Sequence, residues 1–378
     1  MKVLITIPCL LTGGTEMQTL HLTRALIALD YKVCVFCYFE YDMNIVRRFQ
    51  DAGAEVVLCN PQCNGRPKGL RLLKELNTQF RAILKEYQPD IVHVQYMAPG
   101  LLPILISSLA GVKHIIATVH QTADQYNSKH RYMLRSGALL CSRFVSVSSA
   151  AHTSWFGNGF PDKKNRMIYN TVDEQEIYSI ITNNGRPRIS GEHNAGGKII
   201  IGVVSRLRYE KGVDVLIEAL EHAKKACSSF FCLIIGDGPA RDELRRLAVE
   251  KNLNDMIIWS GSVRYEEAIS YIKRMDIVVC PSRTEGFGLT ALEAMFCGKP
   301  IIASRTGGLP EVIEDNATGL LFEAENPGDL ADKLIRLIND PALRNEMGKN
   351  GRTRAEKEFG FDIFKERIRN LYEEVLNQ

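Results

Sequence analysis

The chain has 378 residues, of which 45% are apolar and 24% charged, with a formal net charge of +3. This is the make-up of an ordinary folded protein with room for two domains, and it excludes the disordered and low-complexity classes. Ten Cys without an N-terminal signal peptide lead to the expectation of a reducing, cytoplasmic setting with no disulfide framework.

In order, apolar runs of strand length fall at 3–7, 32–39, 55–58, 91–94, 114–119 and 144–147. Between them helix-period segments fall at 16–29, 46–52, 70–87 and 101–110. Such alternation predicts a parallel, doubly wound sheet with ligands at the C-terminal ends of its strands. The longest uncharged stretch, 91–112, holds His93, Gln95, Pro99, Gly100 and Pro103, so it reads as strand, turn and buried helix and not as a membrane span. A polar, Gly-rich tract follows, and 179–197 is taken as a linker between a domain at 1–178 and a second at 198–358. The alternation then restarts, with strands at 199–204, 231–235, 257–259 and 277–280 and helices at 212–225, 240–251 and 265–273.

Charge is uneven along the chain. Residues 1–180 hold 19 Lys and Arg against 14 Asp and Glu, leaving 28 against 30 for the remainder. The cations cluster at Arg66, Lys68, Arg71, Lys74, Arg81 and Lys85, at Lys129, His130, Arg131 and Arg135, and at Lys163, Lys164 and Arg166. Such clusters are either a solvated face or a surface for anionic lipid and a pyrophosphate-linked acceptor. No nucleic-acid partner is expected. Cys34 and Cys37 lie in one strand on opposite faces, so with Cys59 and Cys63 they read as core thiols and not a zinc site.

The most informative stretch is 281–300. A β-branched run enters Glu285-Gly286-Phe287-Gly288, and Leu289-Thr290 opens a helix that Gly298 and Pro300 stop. Glycines admit close backbone approach, and the free N–H groups of a first helical turn attract anions. Glu285 and Glu293 then reach different parts of one extended ligand, the first at the reacting end and the second at a ribose diol. Upstream, Arg206 and Lys211 lie just past a strand end, where together they can neutralise a diphosphate.

These residues resemble the donor site of retaining glycosyltransferases of family 4, in which two Glu flank seven residues and an Arg precedes a Lys-Gly pair by five. The resemblance covers essentially the whole chain. It implies a GT-B fold, in which two Rossmann-like domains face each other across a cleft and a final helix at about 361–378 crosses back onto the first. It further implies that Gly13 and Gly14 form a loop closing on the donor phosphates, that His120 contacts the transferred sugar, and that the 261–263 turn with Val263 holds the base. His93 is a weaker candidate of the same kind.

No two Asp are spaced as Asp-x-Asp anywhere in the chain, so Arg206, Lys211 and the helix start at Gly288 replace a metal, and no cofactor is expected. The implied activity is metal-independent transfer of a sugar, with retention, from a UDP- or GDP-sugar to a hydroxyl of a saccharide or lipid-linked saccharide. Its implied place is surface polysaccharide or glycolipid assembly, with possible contact to the inner membrane face. A nucleotide-sugar epimerase, a sugar phosphorylase or a non-catalytic nucleotide-sugar-binding subunit are the alternatives. Four positions depart from the family pattern: Gln121 where Asp is common, Tyr169 and Thr171 where Pro and Gly flank the Asn, and Ser205 where Gly precedes the Arg. They concern the acceptor side and the cleft edge.

Overall fold

The computed structural model describes residues 1–59, 69–96, 100–157, 163–183, 197–227 and 229–377, with side chains at all of these except 69–73, 96, 125 and 130. Arg66, Lys68, Cys63 and most of the expected linker (184–196) lie outside the described residues, as do the side chains of Arg71 and His130. The chain divides into two compact units, Met1–Thr171 with Phe361–Gln378, and Val172–Gly360.

The first unit runs β1 (Lys2–Ile7), α1 (Gly14–Ala28), β2 (Lys32–Cys37), α2 (Met43–Asp51), β3 (Glu55–Leu58), α3 (Gly69–Tyr87), β4 (Ile91–Tyr96), α4 (Leu101–Leu109), β5 (His114–Val119), α5 (Ser128–Ala138), β6 (Arg143–Ser146), α6 (Ser149–Phe156) and β7 (Asn165–Met167). The second holds α7 (Glu174–Asn183), β8 (Ile199–Val204), α8 (Val213–Ala226), β9 (Phe230–Ile235), α9 (Arg241–Glu250), β10 (Ile257–Gly261), α10 (Tyr265–Arg274), β11 (Ile277–Cys280), α11 (Leu289–Phe296), β12 (Ile301–Ser304), α12 (Leu309–Val312), β13 (Gly319–Phe322), α13 (Pro327–Asn339) and α14 (Pro341–Glu358). The last helix, α15 (Phe361–Leu376), belongs to the first unit.

Both sheets are parallel and doubly wound, with order β3-β2-β1-β4-β5-β6-β7 in one and β10-β9-β8-β11-β12-β13 in the other. The order reverses beside β1 and beside β8, and a crevice at such a switch point is where this architecture binds ligands. Strands buried on both faces are nearly continuous apolar runs, as in Val3-Leu4-Ile5 and Ile277-Val278-Val279. Cys34 packs with Phe36 and Phe80 on one face of the first sheet, whereas Cys37 packs with Val33 and Val35 on the other, as period-2 alternation requires.

The division falls at 171/172, earlier than the expected boundary after 178. Helix α7 is the reason: Tyr178 meets the Phe296 ring edge-on at 6.4 Å and donates to Glu356, holding this helix in the second unit. Its last turn occupies part of the stretch read as linker. Helix α15 is anchored within the first unit by Glu374, which pairs with both Arg166 and Arg143 and is held down to about pKa 2 by these two guanidinium groups. No helix among the described residues is long and apolar enough to cross a membrane.

Candidate active site

In the second unit, the expected donor residues converge on the loops at the C-terminal ends of β8 to β12. The loop after β8 carries Arg206 and a single 3-10 turn ending at Lys211; the loop after β11 carries Glu285 to Gly288. Backbone contacts lock these loops together. Arg283 N donates to Glu210 O at 2.9 Å, and a Cβ at Gly212 would fall 2.0 Å from Pro281 O. Gly308 N donates to Glu285 O at 3.1 Å, and Gly307, with φ +52°, sits so near that a Cβ would fall 1.7 Å from that oxygen. On the other side, Gly236 N donates to Gly261 O at 2.8 Å, tying the turn that leads to Val263 to the same cluster.

Lys211 Nζ donates to Glu285 Oε2 at 2.8 Å, and Ser282 Oγ donates to the same oxygen at 3.3 Å. Burial pushes the Lys211 ammonium down, but the Glu285 carboxylate more than offsets it and leaves the amine above its ordinary value. Beneath the pair, burial pushes the Cys280 thiol up to about 12, so it stays neutral. Arg206 is exposed, and its guanidinium has no partner among the described residues. Gly288 caps α11 without any side-chain hydrogen bond, leaving the first-turn N–H groups at Leu289 and Thr290 available to an anion. Thr290 itself leans on Val204 O at 3.4 Å, and Phe287 is buried edge-on against Phe359, so it holds the loop. Glu293 lies one turn into α11, where burial pushes its carboxyl up to about 8 against the lowering effect of a hydrogen bond from Tyr265. Arg283, inside the same stretch, is structural: it grips Asp214 with two bonds of 2.9 and 2.6 Å, reaches Glu325 at 2.8 Å and stacks on Tyr209.

In the first unit, Gly13 caps the N-terminus of α1 and Gly14 is its first residue, again with no side-chain cap. His120 directly follows β5, buried, with Nε2 2.7 Å from Gln95 Oε1 on β4; burial lowers its pKa to about 4, so it is neutral at pH 7. His93 is a satisfied core residue, with one nitrogen 2.8 Å from the Tyr372 hydroxyl and the other 2.7 Å from Thr118 Oγ1. Gln95, Ser282 and Tyr265 are contacts that the motif reading missed. A buried Gln inside an apolar strand was the available signal for the first.

Residues 12–176 match the model of Glycosyltransferase Family 4, and residues 186–354 match that of Glycosyl transferases group 1, which together take in most of the chain. The chain belongs to the group 1 glycosyltransferases. This glycosyltransferase is 28% identical to an uncharacterized glycosyltransferase of Methanocaldococcus jannaschii over 369 residues, covering 96% of this chain and 95% of the relative. Over 179 residues, 46% of each chain, it is 37% identical to a GDP-mannose-dependent monoacylated alpha-(1-6)-phosphatidylinositol monomannoside mannosyltransferase of Corynebacterium glutamicum. Among solved structures, Anabaena HepE in complex with UDP-glucose superposes with TM-score 0.83 at 21% identity, covering 99% of both chains, a likeness that identifies the GT-B fold.

Proposed function

We propose that this glycosyltransferase moves a sugar from a nucleotide-sugar to a hydroxyl of a saccharide or lipid-linked saccharide, with retention and without a metal ion, in surface polysaccharide or glycolipid assembly. The observation that carries the reading is the grouping of Lys211, Glu285, Arg206 (unpartnered among the described residues) and the uncapped α11 N-terminus at the switch point of one sheet. Cleavage of a nucleotide-sugar leaves a diphosphate anion, and two cations plus a helix N-terminus are suited to hold it as negative charge develops. In this reading Arg206 and Lys211 take the phosphates, and the backbone at Gly286 to Thr290 lines them. Glu293 takes the ribose hydroxyls, the turn at Val263 holds the base, and Glu285 takes hydroxyls of the sugar. His120 contacts the transferred sugar, and the departing phosphate helps remove the acceptor's proton, so no carboxylate nucleophile is required.

The donor class is supported by relatives: the Corynebacterium glutamicum enzyme is named as GDP-mannose-dependent, and Anabaena HepE was solved with UDP-glucose. Peripheral membrane contact is supported by exposed Leu109, Tyr132 and Leu139 of the first unit, with Lys113 and Lys129 four and three residues from the first two in sequence and Lys164 Nζ donating to Leu139 O at 2.6 Å. The test is incubation with UDP- and GDP-sugars and saccharide acceptors in EDTA, with the product followed by NMR. The reading expects an acceptor-dependent product with the donor's anomeric configuration. Conversion without acceptor would instead indicate an epimerase, a requirement for free phosphate a phosphorylase, and binding without turnover a non-catalytic subunit.

A further inference from the structure

Strands β4 and β5 pair in register with Gln95 opposite Thr118, and His120 lies two residues beyond Thr118, so all three side chains share one face of the sheet. His93, two residues before Gln95, shares it too. Two side-chain rungs result. The inner rung, His93 to Thr118, is saturated, because Tyr372 takes the remaining nitrogen of His93. The outer rung, Gln95 to His120, is not: Gln95 Nε2 and His120 Nδ1 are buried with no hydrogen-bond partner among the described residues. Folded proteins satisfy buried polar atoms almost everywhere, so one donor and one acceptor left open side by side at a strand end point to a ligand.

We propose that Gln95 is a second sugar-recognising residue, which fixes His120 Nδ1 as a hydrogen-bond acceptor and presents its own amide N–H to an oxygen of the same neutral sugar. The tautomer follows from the pair itself. Gln95 Oε1 only accepts, so His120 Nε2 carries the proton and Nδ1 keeps its lone pair. Burial keeps the ring uncharged at neutral pH. An acceptor beside an amide donor suits hydroxyl groups, each able to give and take a hydrogen bond, and opposes a carboxylate or phosphate, which has no proton for Nδ1. This inference rests on the reading of the chain as a transferase of nucleotide-linked sugars.

The test uses the full chain labelled with 15N-histidine. In the wild type, His120 should show a protonated Nε2 and a bare Nδ1, and the Nδ1 resonance should move when D-glucose, D-mannose or N-acetyl-D-glucosamine is added in the presence of UDP. Gln95→Leu should lose the single tautomer. Gln95→Glu should keep the Nε2 proton but lack the amide N–H, so the tautomer is rescued and sugar recognition is not. For both variants kcat/KM for transfer should fall about 10-fold to 100-fold while UDP affinity stays unchanged. A proton on Nδ1 in the wild type, an Nδ1 signal indifferent to all three sugars, or full activity in Gln95→Leu would each overturn the proposal. If the wild type transfers nothing, the transferase reading fails, while the NMR titration still decides the role of Gln95.

Discussion

Replacing Glu285 separates two roles that the Lys211 pair holds together. Its carboxylate lies 2.8 Å from Lys211 Nζ and 3.3 Å from Ser282 Oγ. A hydrogen bond between charged groups contributes about 1.5–3 kcal/mol when well buried. Here the side chains are 29% and 21% exposed, which brings the value toward about 1 kcal/mol. Glu285→Gln and Glu285→Ala should therefore lower Tm by only about 2–4 °C. Losing the carboxylate also releases the Lys211 ammonium from an internal competitor of phosphate. UDP affinity should hold or rise by up to about 10-fold, equivalent to about 1.4 kcal/mol. Transfer should fall by about 10²–10³, the scale of removing one preorganised electrostatic contact to the reacting group. Isothermal titration with UDP and a steady-state transfer assay on the same preparations measure both. Parallel loss of UDP affinity and transfer would place Glu285 on the nucleotide, and surviving transfer would remove it from the reaction.

Three further predictions follow from the same loops. Arg206→Ala should weaken UDP binding by about 10-fold to 100-fold, the value of one charge-assisted contact, with no change in Tm because its guanidinium has no partner among the described residues; unchanged affinity would take Arg206 out of the site. Gly307→Ala adds a Cβ that would lie 1.7 Å from Glu285 O at a left-handed φ of +52°. Strain and overpacking should cost about 3 kcal/mol, read as a lower Tm together with lost UDP binding, whereas a wild-type melt would contradict the packing. Glu293 is pushed up to about 8, so it is mostly protonated at pH 7. If ribose hydroxyls donate to its ionised form, nucleotide binding releases a proton and affinity rises with pH toward 8, then flattens. Calorimetry in buffers of different ionisation enthalpy reads that proton, and a Glu293→Gln variant that still releases it would refute the assignment.

The grouping of the loops in the second unit was legible in the sequence, because chemistry and punctuation coincide there: β-branched runs ended by Gly, with charged residues just beyond. Parallel strands force those loops to one edge, so Arg206, Lys211 and Glu285 could be placed together without coordinates. The Lys211–Glu285 pair was not legible, since 74 residues separate the partners and only the switch point at β8 and β11 makes them neighbours. Strand β7, whose residues Asn165-Arg166-Met167 carry no apolar run, was missed for the same reason that edge strands tolerate polar residues. The division at 171/172 was not legible, for a different reason. Helix α7 follows the last strand of the first unit in sequence, but Ile177 and Tyr178 pack in the second, and local pattern says nothing about which core a helix joins. His93 and His120 look alike in sequence, both near strand ends two residues from a polar neighbour. Only the hydroxyl of Tyr372, 279 residues away from His93, makes one of them a saturated core residue.

The most direct test of a metal-independent donor site is calorimetric titration of the full chain with UDP, GDP and ADP, first in EDTA and then with magnesium. One nucleoside diphosphate should bind in EDTA with an affinity that magnesium leaves unchanged and that Arg206→Ala reduces. Binding that appears only with magnesium would contradict the assignment of the phosphates to Arg206, Lys211 and the start of α11.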